Sequence, residues 1–191
     1  LEKLVVNKGY LNAEVSSEGD LNNKKANVTY TVTGNKPYRI LNFNTKIEDP
    51  AIAHELYGDN GNPAVTIRGE RSSLRNTHLK DSMLFDRSVL DAERDRIATL
   101  LRNRGYYGFD KNNIRYEADT TYQDHGVDLE LLLEDKQITN SDGTVIETPH
   151  QKYHINKVSI YLDYDPSKYL TPEDYPKTDS IEYEQYTFYY H

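Results

Sequence analysis

Residues 93–109 read ERDRIATLLRNRGYYGF. Leu90, Ile97 and Leu101 recur at helical spacing just before and within this stretch, and Leu100 widens the stripe. That pattern predicts a helix with one apolar face. Acids crowd its first turns (Asp86, Asp91, Glu93) and Arg102 and Arg104 its last, as the helix dipole favours. Gly105 stands where a left-handed residue closes a helix, and Tyr106 follows as a lid on the core. Two starts are compatible with the residues. Asp86 as N-cap makes Phe85 and Leu90 a hydrophobic staple, whereas Ser88 with Asp91 makes a capping box.

Strand chemistry follows the helix. NNIRYEAD (112–119) alternates Ile114, Tyr116 and Ala118 against Arg115 and Glu117. GVDLELLLED (126–135) alternates Val127, Leu129 and Leu131 against Asp128 and Glu130. A period of two means one buried and one wet face. The short polar TTYQDHG between them predicts an antiparallel hairpin.

The same order opens the chain. LEKLVVNKGY (1–10) reads as the last turns of a helix stopped at Gly9, with Tyr10 after it. LNAEVSS is expected as a strand, GDLNN as a turn and ANVTYTV (26–32) as a second strand. Gly-Tyr recurs after 96 residues, and Tyr38-x-Ile40 recurs as Tyr153-x-Ile155 after 115. The difference fits an insertion, QITNSDGTVIETP (137–149), with a Ser-Asp-Gly hairpin tip. Repetition on this scale predicts tandem small domains. Residues 1–35 are the C-terminal part of one unit, and 36–135 a complete unit. Residues 136–150 are a hairpin insertion or linker, and 151–191 the truncated start of a further unit.

Inside the complete unit a strand over 37–47 leads to Asp49-Pro50, where Asp caps a short helix with Pro at its first position. AIAHELY (51–57) continues that helix, GDNGNP (58–63) is a loop, and SSLRNTHLKDSMLF (72–85) is expected as a helix followed by a turn. The order is β-α-α-β-β, an α+β fold with a three-stranded mixed sheet and helices on one face.

Bulk composition narrows the function. The chain has 191 residues, 23 Lys+Arg against 31 Asp+Glu and a net charge of −8, which argues against nucleic acid as a partner. It contains no cysteine, hence no disulfide and no thiolate metal site. No apolar run approaches a membrane span, and no signal peptide opens the chain, which therefore reads as cytoplasmic or as a piece of something longer.

FDRSVLDAERDRI with LRNRGYYGF, YEADTTY, GVDLELLLED and the Tyr-Arg-Ile start together resemble POTRA domains. More narrowly, they resemble those of BamA/TamA-type outer-membrane assembly factors of bacteria, over roughly residues 1–165 and most strongly over 84–135. The first unit lacks its front half, and the last 25 residues match no motif of the family. The resemblance implies a periplasmic fragment, at the periplasmic side of the outer membrane, of a protein with a C-terminal β-barrel in the same full-length chain. The partners it implies are unfolded outer-membrane proteins or accessory periplasmic lipoproteins. In such domains the strand after Gly-Tyr is the exposed edge, and an incoming peptide adds to it as a strand. Here that edge maps to Asn113, Ile114, Arg115, Tyr116, Glu117 and Ala118, with Gly9, Tyr10, Gly105, Tyr106, Leu90, Ile97 and Leu101 in structural roles. Proline at Arg115 is expected to block pairing there while sparing the core. The alternatives are spacer or docking modules of an outer-membrane secretion transporter, and a soluble glycan-binding module using the 17 tyrosines.

Catalysis has no visible motif. Of the six histidines only His150 and His154 stand four apart, with Gln151 where HExxH needs Glu, and there is no P-loop, GxSxG, GxGxxG or HExxH. Asp142-Gly143 belongs to no calcium loop, since the alternating ligands and closing Glu are missing. The expectation is a non-enzyme with no cofactor and no metal. Bland readings compete at the edge itself, because charges such as Arg115 and Glu117 also protect natural edges from sticking.

Overall fold

The computed structural model describes residues 1–22, 24–57, 74–80, 82–121, 124–162, 165 and 179–190. The chain divides into two compact units, Leu1–Lys152 and Tyr153–His191.

The centre of the first unit is a three-stranded sheet. It is built from β3 (Arg39–Lys46), β4 (Ile114–Asp119) and β5 (Gly126–Leu133) in the order β3-β5-β4. β3 runs parallel to β5 and β4 antiparallel to it. Between β3 and β4 come α2 (Pro50–Tyr57) and α3 (Arg87–Asn103), completing the expected α+β order β-α-α-β-β. Alternation along β5 puts Val127, Leu129 and Leu131 at full burial. Ile52 and Leu56 of α2, and Ile97 and Leu101 of α3, pack with Ile114 and Leu131 into one core, so both helices lie on one face. A second cluster gathers Ile40, Leu79, Phe85, Leu90, Val127 and Leu129.

Local chemistry explains the helix ends. Asp49 Oδ1 accepts from the amides of Ala51 (2.8 Å) and Ile52 (3.3 Å), so α2 starts at Pro50 as its residues dictate. Of the two starts open for α3, the structure uses Asp86. Its side chain accepts from the Ser88 amide at 2.8 Å, and Phe85 and Leu90 pack in the same cluster. At the other end Gly105 has φ +99, with Gly105 N–H donating to Arg102 O and Tyr106 N–H to Leu101 O, each 3.0 Å. This is a Schellman closure, and Tyr106 and Leu101 share the core as its hydrophobic contact. Gly105→Val is expected to lower stability by about 1–2 kcal/mol, because a β-branched residue resists positive φ. A denaturant titration with an unchanged midpoint would contradict the closure.

The N-terminal segment repeats this ending. α1 (Glu2–Asn7) closes at Gly9, φ +96, with Gly9 N–H to Val6 O (3.0 Å) and Tyr10 N–H to Val5 O (3.4 Å). Strands β1 (Glu14–Asn22) and β2 (Lys25–Thr33) then form an antiparallel hairpin. The turn expected over GDLNN is corrected. Gly19 to Asn22 belong to β1, whose register runs on to Asn22 opposite Lys25, and Lys24 takes φ +66. Nine-residue strands pair further than the polar residues at the tip suggested.

The helix expected over 72–85 is also corrected. Its described part, Leu74–Lys80 and Ser82–Phe85, is irregular, with Asn76 and Ser82 at positive φ. Three of its backbone bonds go to β3 and the residue before it: Ile40 N–H donates to Met83 O, Ser82 N–H to Ile40 O and Phe85 N–H to Tyr38 O, each 3.0 Å. Leu74 and Leu79 are buried from this irregular path. The loop expected over 58–63 lies outside the described residues. The insertion forms hairpin β6 (Lys136–Thr139) and β7 (Val145–Thr148), with Gly143 at φ +85 in its tip.

The second unit holds β8 (Val158–Tyr161), β9 (Asp179–Tyr183) and β10 (Tyr186–Tyr190) in the order β8-β10-β9. β8 is parallel to β10 and β9 antiparallel to it, the same relation as β3, β5 and β4. Val158, Ile160, Ile181, Tyr183, Tyr186 and Phe188 share one face by this register. The Tyr-rich segment 179–190, which matches no motif of the family, pairs within the chain. Ile155, aligned in sequence with buried Ile40, lies outside β8 and is 76 % exposed.

Candidate partner-binding edge

β4 pairs with β5 and with no other strand among the described residues, so its far side is a sheet edge. Register decides which backbone groups point outward. Glu134 N–H donates to Asn113 O at 2.8 Å, on the same diagonal as the pairs Ile114↔Leu133, Arg115↔Leu132 and Glu117↔Glu130. Antiparallel pairs alternate between bonded and non-bonded, so Arg115, Glu117 and Asp119 spend their amides and carbonyls on β5. Tyr116 and Ala118 aim theirs away from the sheet. Ile114 presents only its carbonyl, because its amide donates to Lys111 O.

The expected site residues therefore sort into different roles. Asn113 is not in the strand. It ends a 3-10 turn, Lys111–Asn113, where its side chain accepts from the Asp110 amide at 2.9 Å and Asp110 accepts from Asn112. Ile114 is buried in the core, leaving its carbonyl as its one contribution to the edge. Arg115 and Glu117 stand on the face away from the helices. Arg115 pairs with Glu117 at 3.1 Å and with Glu134 at 3.0 Å, all three partly solvated. The position at which proline was expected to block pairing is corrected as well: proline at Arg115 removes a bond of the β4–β5 ladder. The proline that spares the sheet is Ala118→Pro, whose lost amide points outward. Ala118 carries no periodic signal of this; the alternation of side chains was legible, and the phase of the hydrogen bonds was not.

Tyr116 joins the edge to the core. Its ring packs against both clusters, and its hydroxyl is buried without a hydrogen-bond partner. Burial, and then the nearby Glu93 carboxylate, push the phenol well above the ordinary tyrosine range, so it stays protonated and neutral. Below it, Lys111 meets Asp91 (3.4 Å) and Asp95 (3.2 Å), and Arg94 donates to Lys111 O at 3.0 Å. At the strand's end Asp119 accepts from the amide (2.8 Å) and hydroxyl (2.7 Å) of Thr121, which lower its pKa. The edge is short and bordered by charge at each end.

A residue absent from the expected set holds the region together. Glu93 is fully buried. It accepts from the His78 amide at 2.8 Å and is forked by Arg96, Nη2 to Oε1 at 2.7 Å and Nε to Oε2 at 3.0 Å. Its place three residues after Leu90 and four before Ile97 put it inside the apolar stripe, the signal that marks it in sequence.

No protein-family model matches the chain, and no curated protein does. Among solved structures the chain is similar to BamA from Haemophilus ducreyi lacking POTRA domains 1-3, at 11% identity and TM-score 0.41 over 70% of this chain and 21% of that one. It is also similar to the POTRA3-5 segment of Haemophilus influenzae BamA, at 14% identity and TM-score 0.32 over 68% of this chain and 42% of that one. The chain thus spans less than half the length of either structure.

Proposed function

We propose that this chain is a periplasmic POTRA fragment of an outer-membrane β-barrel assembly or insertion factor, and that it is not an enzyme. Its complete module binds extended precursor strands, or segments of accessory periplasmic lipoproteins, by adding them to β4. The C-terminal barrel of the longer protein is its third partner. The observation that carries this reading is the one-sided pairing of β4 on a module with the β-α-α-β-β order. An added strand gains backbone hydrogen bonds at Tyr116 and Ala118 whatever its side chains, the tolerance that a handler of many precursors needs.

The Arg115–Glu117–Glu134 charges favour a second reading, a guarded edge in a module that only spaces or docks. A labelled synthetic peptide of about ten residues, alternating apolar and polar like a membrane-barrel strand, separates the two. Binding followed by fluorescence anisotropy should weaken at least tenfold in Ala118→Pro, while the circular dichroism of the variant matches the parent. Equal affinity in parent and variant, or no binding to either, favours the spacer.

A further inference from the structure

The two helix endings share a triplet, Lys8-Gly9-Tyr10 and Arg104-Gly105-Tyr106: a basic residue, a left-handed glycine, a tyrosine. At the first of them the backbone does more than stop a helix. Gly9 O accepts from Tyr38 N–H at 2.7 Å, and Tyr38 O in turn accepts from Phe85 N–H. A Cβ at Gly9 would stand 3.2 Å from Phe85 O and 3.3 Å from Tyr38 O. The glycine is therefore required twice, by its φ of +96 and by this close approach. Beside it Lys8 Nζ reaches Asp86 Oδ2 at 2.7 Å and Ser88 Oγ at 3.0 Å. Those are the N-cap of α3 and the residue that it caps, so a cation from one helix end meets an anion at the start of another. Leu11 packs against the cluster that holds Ile40, Phe85 and Leu90, Asn35 Nδ2 donates to Asn12 O at 2.8 Å, and Gly34 lies against the Tyr10 ring.

We propose that the surface formed by Tyr38, Phe85, Asp86 and Ser88 is a receptor for the basic-Gly-Tyr turn that ends the helix of the preceding module. This rests on reading residues 1–35 as the rear of such a module, but not on what β4 binds. The Gly-Tyr signature then has two functions, closing its own helix and docking on the first strand and the helix cap of the next module. Residues 34–38 act as a clasped joint, and the β1–β2 hairpin is held in one direction relative to the β3–β5–β4 sheet. An array joined in this way presents its edges at fixed spacing, as a ruler for extended chains.

The absence of native cysteine makes the test direct. Spin labels on Thr31→Cys and Arg102→Cys, both exposed, report the distance from the hairpin to α3 by pulsed electron resonance on the whole chain. The parent and Lys8→Arg should give one narrow distance distribution, while Lys8→Glu and Gly9→Val should each widen it at least twofold. Lys8 is half-exposed, so its charge reversal leaves the fold intact even if Gly9→Val perturbs α1. A parent distribution already as wide as that of Lys8→Glu, or a Lys8→Glu distribution as narrow as the parent's, overturns the joint. Peptide affinity at β4 should be the same in all four proteins, which keeps this test apart from that of the edge.

Discussion

Glu93→Ala should lower the unfolding free energy of the first unit by about 3–5 kcal/mol, the range for breaking a buried ion pair by removing one partner. The Arg96 guanidinium would be left with its side chain 15 % exposed and no counter-ion, and the His78 amide would lose its acceptor. Glu93→Gln keeps the shape and an acceptor, and should lose less than half as much. Urea titration at neutral pH measures both, and equal midpoints for parent and Glu93→Ala would show that the pair stabilises nothing.

Acid should reveal the same group. Burial alone would raise the Glu93 pKa, but the Arg96 fork and the bonds from His78 and Thr77 overcome it and hold the carboxyl below the usual glutamate value of 4.5. A folded pKa below the unfolded one means that the stabilisation is complete above about pH 4.5 and is lost as pH falls through the folded value. The gap between parent and Glu93→Gln should therefore be widest at neutral pH and shrink below about pH 4.

The second large effect is at the middle of the sheet. Leu131 is fully buried on the central strand, opposite Tyr116 on one side and Thr45 on the other, and packs in the cluster of Ile52, Leu56, Ile97 and Leu101. Leu131→Ala should cost about 2–5 kcal/mol, since the walls of the cavity come from both helices and the sheet and cannot all collapse inward. Leu21→Ala is the control. That leucine is 83 % exposed on the hairpin, and its loss should change stability by no more than about 0.5 kcal/mol. Equal losses at the two positions would contradict the division between a packed module and an exposed hairpin.

What was legible in the residues followed from short-range rules. α3 was readable because stripe, dipole charges and Gly105 agree, and β5 because its alternation is unbroken from Val127 to Leu131. The stretch 72–85 reads as a helix because Leu74, Leu79 and Phe85 do not by themselves separate a helix from an irregular path. Only the bonds to Tyr38 and Ile40, more than forty residues away, decide between them. Glu93 reads as a dipole partner for a related reason: an acid early in a helix is explained by the dipole, and its burial depends on Arg96 and on the path of His78. At the edge, sequence located the strand but not the phase of its hydrogen bonds, which is set by the turn that ends at Asn113. That phase moves the informative proline from Arg115 to Ala118.

Amide hydrogen exchange, resolved by residue along 112–119, tests the central claim most directly. In the free chain Arg115 and Glu117 should be protected by β5, while Tyr116 and Ala118 exchange rapidly from the outer edge. With a saturating alternating peptide, Tyr116 and Ala118 should become protected at least tenfold while the rest of the first unit is unchanged. Protection that is absent at these two amides when the peptide is bound, or that appears elsewhere instead, would contradict strand addition at β4.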